Sequence, residues 1–113
     1  MTIQELIEKL SLTLLTEKKD FSQVVPANGY ASDLLSCVMA GAQHGGIWVT
    51  LQAHTNVVAV GALLELSAII ITENAMPDQA TIAKANAEGV TLFLTDKPTF
   101  HVVGKLWELG LRD

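Results

Sequence analysis

A single cysteine, Cys37, excludes any intrachain disulfide. Its neighbours Leu34, Leu35, Val38 and Met39 suit a buried structural thiol better than a reactive one. A reducing compartment, hence the cytoplasm, is expected. Positive charge is scarce: 7 Lys and Arg stand against 12 Asp and Glu, for a net charge of -5. No basic patch is available for phosphates, which argues against nucleic acid. The one basic pair, Lys18-Lys19, reads as a solvated loop. Aromatic residues make up only 5% of a chain that is 50% hydrophobic. Ala, Val, Leu and Ile must therefore fill the core, as they do around a small α/β sheet. There is no membrane-length apolar run either. The most apolar stretch, Val57 to Ile71, is broken by Glu65 and falls short of the roughly 20 residues a spanning helix needs. Met1 leads directly into a segment bearing Glu and Lys, which is not how a signal peptide begins.

Several chemical motifs are missing. GxxxxGK[ST] does not occur, and Gly104-Lys105 is followed by Leu106 inside a predicted helix, so no kinase-type phosphate loop is present. GxGxxG is absent too. Gly41, Gly45 and Gly46 precede a strand and do not open a helix. His44, His54 and His101 are scattered, without paired cysteines or HxxxH spacing, so neither a metal nor another cofactor is expected. Ser36 is not in a GxSxG elbow. No catalytic residue is assigned. The one enzymatic alternative uses His54 as general base with Asp33.

What remains is centred on Gly46 to Thr72, GIWVTLQAHTNVVAVGALLELSAIIIT. Ile47–Gln52 reads as a strand, Ala53–Asn56 as a polar turn, Val57–Leu66 as a helix and Ala68–Thr72 as a second strand. Ligands in open α/β sheets sit at the carboxyl ends of strands, close to helix N-termini. Thr50 and Gln52 share one face of the first strand, and His54 and Asn56 follow in the turn. Thr55 or Asn56 would cap the helix. Asp33 and Thr72 join this candidate ligand site if their ends of the sheet converge. The same polar cluster can also be read as doing no more than satisfying backbone groups at the strand end.

The rest of the chain supplies the other layers. Thr2 and Glu5 form a capping box before the stripe Ile3, Leu6, Ile7, Leu10. Leu12–Leu15 is a short strand. Phe21–Val25 reads as extended and Asn28-Gly29 as a turn. A helix starting at Ser32 or Asp33 buries Leu34, Leu35, Val38, Met39 and Ala42. Asp78 caps an Ala-rich helix, Gln79–Glu88, that Gly89 ends. Thr91–Thr95 is a strand, and a last helix starting between Asp96 and Thr99 carries Phe100, Val103, Leu106, Trp107 and Leu109. Trp48 and Trp107 read as packing residues. Alternating helices and strands imply one α/β domain over residues 1–113, a three-layer α/β/α sandwich with a short, mostly parallel sheet. Strand direction is left open near the N-terminus.

Gly29-Tyr30-x-Ser32-Asp33-Leu34-Leu35, Gly46-x-Trp48-Val49-Thr50-x-Gln52-x-His54-x-Asn56, the Ile69–Thr72 strand and the closing Leu106-Trp107-Glu108-Leu109-Gly110 resemble the DRTGG domain family. The likeness is to its small stand-alone members, similar to the HPr kinase/phosphorylase N-terminal domain. It implies a bacterial regulatory domain without catalytic function, one that in larger relatives accompanies CBS, phosphotransacetylase or kinase domains. It also implies, as partners, a signalling kinase or a hydrogenase-associated protein. The Asp-Arg-Thr-Gly-Gly signature itself is absent, and Glu73-Asn74 stand where glycines would be expected. Two function classes follow: a regulatory module binding a small polar or anionic ligand or a partner protein, and a homo-oligomeric assembly subunit whose interface would use Met39, Trp48 or Trp107.

Overall fold

Thr2 begins the structure as the sequence requires. In the computed structural model, which describes residues 1–113, its side chain accepts from Glu5 N–H while the Glu5 carboxylate accepts from Thr2 N–H. That capping box opens helix α1, Ile3–Leu10. Strand β1 follows as Thr13–Leu14. Phe21–Gln23 is a turn of 3-10 helix, not the extended piece expected, because the Asp20 carboxylate accepts from Ser22 N–H and Ser22 Oγ and curls the chain. The predicted Asn28-Gly29 turn is instead the entry to strand β2, Gly29–Ala31. Helix α2 is Leu35–Gly41, β3 is Ile47–Thr50, α3 is Asn56–Leu63 and β4 is Ala68–Ile71. Helix α4 spans Gln79–Glu88, β5 Leu92–Leu94 and α5 Thr99–Glu108.

The five strands lie in the order β1-β5-β4-β3-β2. β2, β3, β4 and β5 run parallel, and β1 pairs antiparallel with β5 at one edge. The fold is thus α/β with helices on both faces of a mostly parallel sheet. Alternation along each strand sorts the core in two. Ile47, Val49, Ala68, Ile70 and Phe93 face α1 and α5, meeting Ile3, Leu6, Val102 and Leu106. Trp48, Ile69, Ile71 and Leu92 face α2, α3 and α4, meeting Val38, Val57, Val60 and Ala85.

Helix α3, NVVAVGAL, contains no charged residue and packs Val57, Val58, Val60 and Gly61 inward. Gly61 permits the approach: a Cβ there would lie 2.7 Å from Ile69 Cδ1. At α4 the Asp78 cap and the left-handed Gly89 at φ 71° both stand where expected.

Helix α2 departs from expectation. It starts at Leu35, with Leu34 in the cap position and no side-chain cap. Of the predicted stripe only Val38 is fully buried; Leu34 and Met39 are exposed. Cys37 is exposed as well, not buried. A helix of 7 residues beside the edge strand β2 offers the sheet only one inward position per turn, and Val38 takes it.

Candidate functional site

The carboxyl ends of β2 to β5 all emerge at one end of the sheet, where their connections form a rim. Asp33, just past β2, does not cap α2. Its carboxylate reaches across to the end of β3, where Oδ1 accepts from Thr50 Oγ1 at 2.8 Å and from Leu51 N–H at 2.9 Å. Gln52 closes the knot from the other side. Its N–H donates to Thr50 Oγ1 at 3.0 Å, and its Nε2 donates to Asp33 O at 3.0 Å. Beneath the knot the fully buried Trp48 donates Nε1–H to Ser32 O at 2.8 Å. Ser32 Oγ accepts from Leu34 N–H. Three of the six predicted site residues, Asp33, Thr50 and Gln52, are therefore brought together. Thr50 is wholly buried, and its hydroxyl both donates and accepts.

His54 and Asn56 stand beside this knot at the start of α3. Neither Thr55 nor Asn56 caps the helix, which corrects the expectation. Thr55 has helical angles and makes no capping bond, whereas His54 Nδ1 accepts from Asn56 N–H at 3.2 Å. The imidazole does the work of a cap. Val57 N–H and Val58 N–H are engaged by His54 O and Thr55 O. The N–H groups of Ala53, His54 and Thr55 donate to no group of the chain, and the Asn56 amide side chain has no partner within it.

Thr72 lies apart from the knot. Thr72 N–H donates to Thr50 O, which ties the two strand ends through the backbone. Its side chain, however, leaves on the other face of the sheet, with Ala68 and Ile70, and pairs with Thr99 Oγ1 of α5 at 2.6 Å. Glu73 Oε2 accepts from Thr99 N–H, the first donor of α5. Glu73 and Asn74 both have left-handed backbones, at φ 60° and 55°. The turn therefore adopts at Glu-Asn a geometry that glycine ordinarily serves.

Electrostatics at the rim are one-sided. The connections leaving β2 to β5 carry Asp33, Glu73, Asp78 and Asp96 against one Lys or Arg, Lys97, and the protein's two salt bridges, His44–Glu65 and Lys105–Glu108, lie elsewhere. Hydrogen bonding by Thr81 holds the Asp78 carboxyl below its usual range, and nearby His54 lowers it a little further. No three His, Cys, Asp or Glu side chains converge as a metal site would require. A cavity of about 160 Å³ lies away from the rim, between the β2 edge and α5, lined by Ala31, Val49, Val103, Leu106, Trp107 and Leu111 among others. Trp107 is half-exposed, not packed inside, with the Arg112 guanidinium 4.4 Å from its ring centre. The exposure of Leu34, Leu51, Met76 and Phe100 at the strand exits escaped the sequence-level reading.

No protein-family model and no curated protein matches the sequence. The fold matches that of the CBS and DRTGG domains in the regulatory region of Clostridium perfringens pyrophosphatase, solved with its activator diadenosine tetraphosphate, at a TM-score of 0.73 and 16% identity. The match covers 91% of this chain and 44% of that one, so this chain spans less than half its length. The likeness establishes a DRTGG-like fold. No helix here is long and apolar enough to cross a membrane.

Proposed function

We propose that this protein is a non-catalytic regulatory module that binds a small polar ligand at the turn from Gln52 to Asn56. The observation that carries the reading is the free donor set at the start of α3. Three successive N–H groups and the Asn56 amide are unpaired, on a turn held by the Asp33–Thr50–Gln52 knot. Hydrogen-bond donors at a helix N-terminus recognise an acceptor-rich group. The surrounding carboxylates favour a neutral or weakly anionic ligand over a polyanion, because like charges at ~4 Å repel by roughly 4 kcal/mol near a protein surface. Thr72 contributes through the backbone bond to Thr50, since its hydroxyl is committed to Thr99. His54 acts as a cap here, which leaves its Nδ1 no role as a general base.

Titration of adenosine and of diadenosine tetraphosphate into 15N-labelled protein tests this reading. Adenosine is expected to move the amides of Ala53 to Asn56 at lower concentration than the tetraphosphate does. Shifts confined to residues remote from that turn would refute it. A second reading, a homo-oligomeric subunit, is supported by the half-exposed Trp107 and exposed Met39, but Trp48 is buried and cannot serve such an interface. Light scattering that finds a monomer at tens of micromolar, roughly the range of a weak interface, removes it.

A further inference from the structure

We infer that the rim at the carboxyl end of the sheet docks a basic segment of a partner protein that presents an apolar face. This rests on the rim being a recognition edge, as proposed above, but not on the small ligand. Four large apolar side chains are exposed there: Leu34 at 61%, Leu51 at 43%, Met76 at 54% and Phe100 at 91%. Each follows a different parallel strand, β2, β3, β4 and β5 in turn, so topology brings all four to one end of the molecule. Single exposed apolar residues are ordinary, but one on every strand exit makes a surface. Polar side chains would solvate these loops at no cost to the core, since none of the four belongs to either buried cluster.

Charge selects the occupant. The connections that leave β2, β4 and β5 carry Asp33, Glu73, Asp78 and Asp96, and Lys97 is the one Lys or Arg in the connections that carry the apolar residues. Neutral donors fix three of the carboxylates without cancelling their charge: Thr50 and Leu51 hold Asp33, Thr99 N–H holds Glu73, and Thr81 N–H holds Asp78. None of the four acids is in a salt bridge. A second copy of this chain, docked rim to rim, would set these carboxylates against themselves. An anionic lipid surface would be repelled in the same way. A segment with Leu-like anchors flanked by Lys or Arg matches both features, the apolar side chains supplying affinity and the charges supplying on-rate and selection.

The test titrates the labelled full chain with two helical peptides of identical Leu spacing, one with Lys and one with Glu at the polar positions. The Lys peptide is expected to move the amides of Leu34, Leu51, Met76 and Phe100. It should bind at least about tenfold more tightly than the Glu peptide and lose that advantage in high salt. Phe100→Ser, at a side chain the fold does not bury, should weaken it by about tenfold while the remaining spectrum stays unchanged. Equal affinity for both peptides overturns the inference, as do shifts that map to α2 and α3 instead. Rim shifts that grow with protein concentration alone assign the surface to a second copy and overturn it too. If adenosine moves Ala53 to Asn56 while neither peptide touches the rim, this inference fails and the small-ligand reading stands. If the Lys peptide docks and neither adenosine nor the tetraphosphate moves the turn, the reverse holds.

Discussion

Two buried threonines, Thr50 and Thr72, close neighbouring strand ends in different ways. Both are fully buried, and Thr72 N–H donates to Thr50 O. Thr50 points toward the α2–α4 face and donates to a carboxylate, in a knot that also fixes Leu51 and Gln52. Thr72 points toward α5 and meets another hydroxyl, Thr99. The first clamp joins two connections and shapes the turn that follows. The second ties a strand to a helix and ends there. A bond to a charged acceptor is worth roughly 1.5–3 kcal/mol and a neutral one about 0.5–1.5. The β2–β3 half of the rim is therefore built to hold a loop in place, and the β4–β5 half to hold a helix.

The largest effect expected lies under the first clamp. Trp48→Ala should cost about 3–5 kcal/mol in urea unfolding, because it empties the α2–α4 face and frees Ser32 O. A loss below about 1 kcal/mol would mean the site collapses around the gap, and the knot would owe nothing to that support. Next comes the pair that tests the comparison itself. Thr50→Val should cost about 1.5–3 kcal/mol, since Asp33 loses a donor and Gln52 N–H an acceptor. Thr72→Val should cost about 0.5–1.5 kcal/mol and leave amide exchange at Gln52 to Asn56 unchanged. The opposite ranking would break the distinction between the two clamps.

The βαβ core was legible in the sequence because its cues are local. Short continuous apolar runs marked β3 and β4, and Asp78 and Gly89 marked both ends of α4. Several errors fall where a side chain finds a different partner from the one its local position suggests. Asp33 looked like a helix cap, but Thr50 Oγ1 and Leu51 N–H lie within its reach. Asn56 looked like a cap as well, but the imidazole two residues earlier takes the free N–H. Gly29 looked like a turn because pairing with β3 cannot be read from a three-residue strand. Thr50 and Gln52 were correctly assigned to one neighbourhood by strand alternation. The separation of Thr72 from them follows from the same alternation once the register Thr50 to Ile71 is known.

A smaller effect sharpens the second half of the rim. Asn74 has φ 55° and no side-chain bond of its own, so Asn74→Gly should stabilise by under about 1 kcal/mol as the left-handed cost is relieved. Glu73→Gly gains the same relief but loses the carboxylate that holds Thr99 N–H. The two terms are each about 1 kcal/mol, so the net change in the denaturation midpoint should be near zero. A clear gain from Glu73→Gly would show that the bond to α5 contributes little.

The smallest effect expected concerns pH, at the point where the two halves meet. Asp78 caps α4, and His54, across the rim on the β3 connection, helps hold its carboxyl below the usual range. A carboxyl depressed in the folded state stabilises that state fully above its unfolded value, and the contribution is lost as pH falls through the lower folded value. Acidification below the ordinary Asp range should therefore release Thr81 N–H before α4 loosens elsewhere, visible as a Thr81 amide shift that titrates below the ordinary Asp range. His54→Ala should raise that midpoint slightly, because the charge interaction that favours the Asp78 carboxylate is gone, while Asp78→Asn should abolish the titration at Thr81 altogether. A Thr81 midpoint unmoved by His54→Ala would leave α4 electrically separate from the turn, and the rim would divide between β3 and β4, where the two threonines already part.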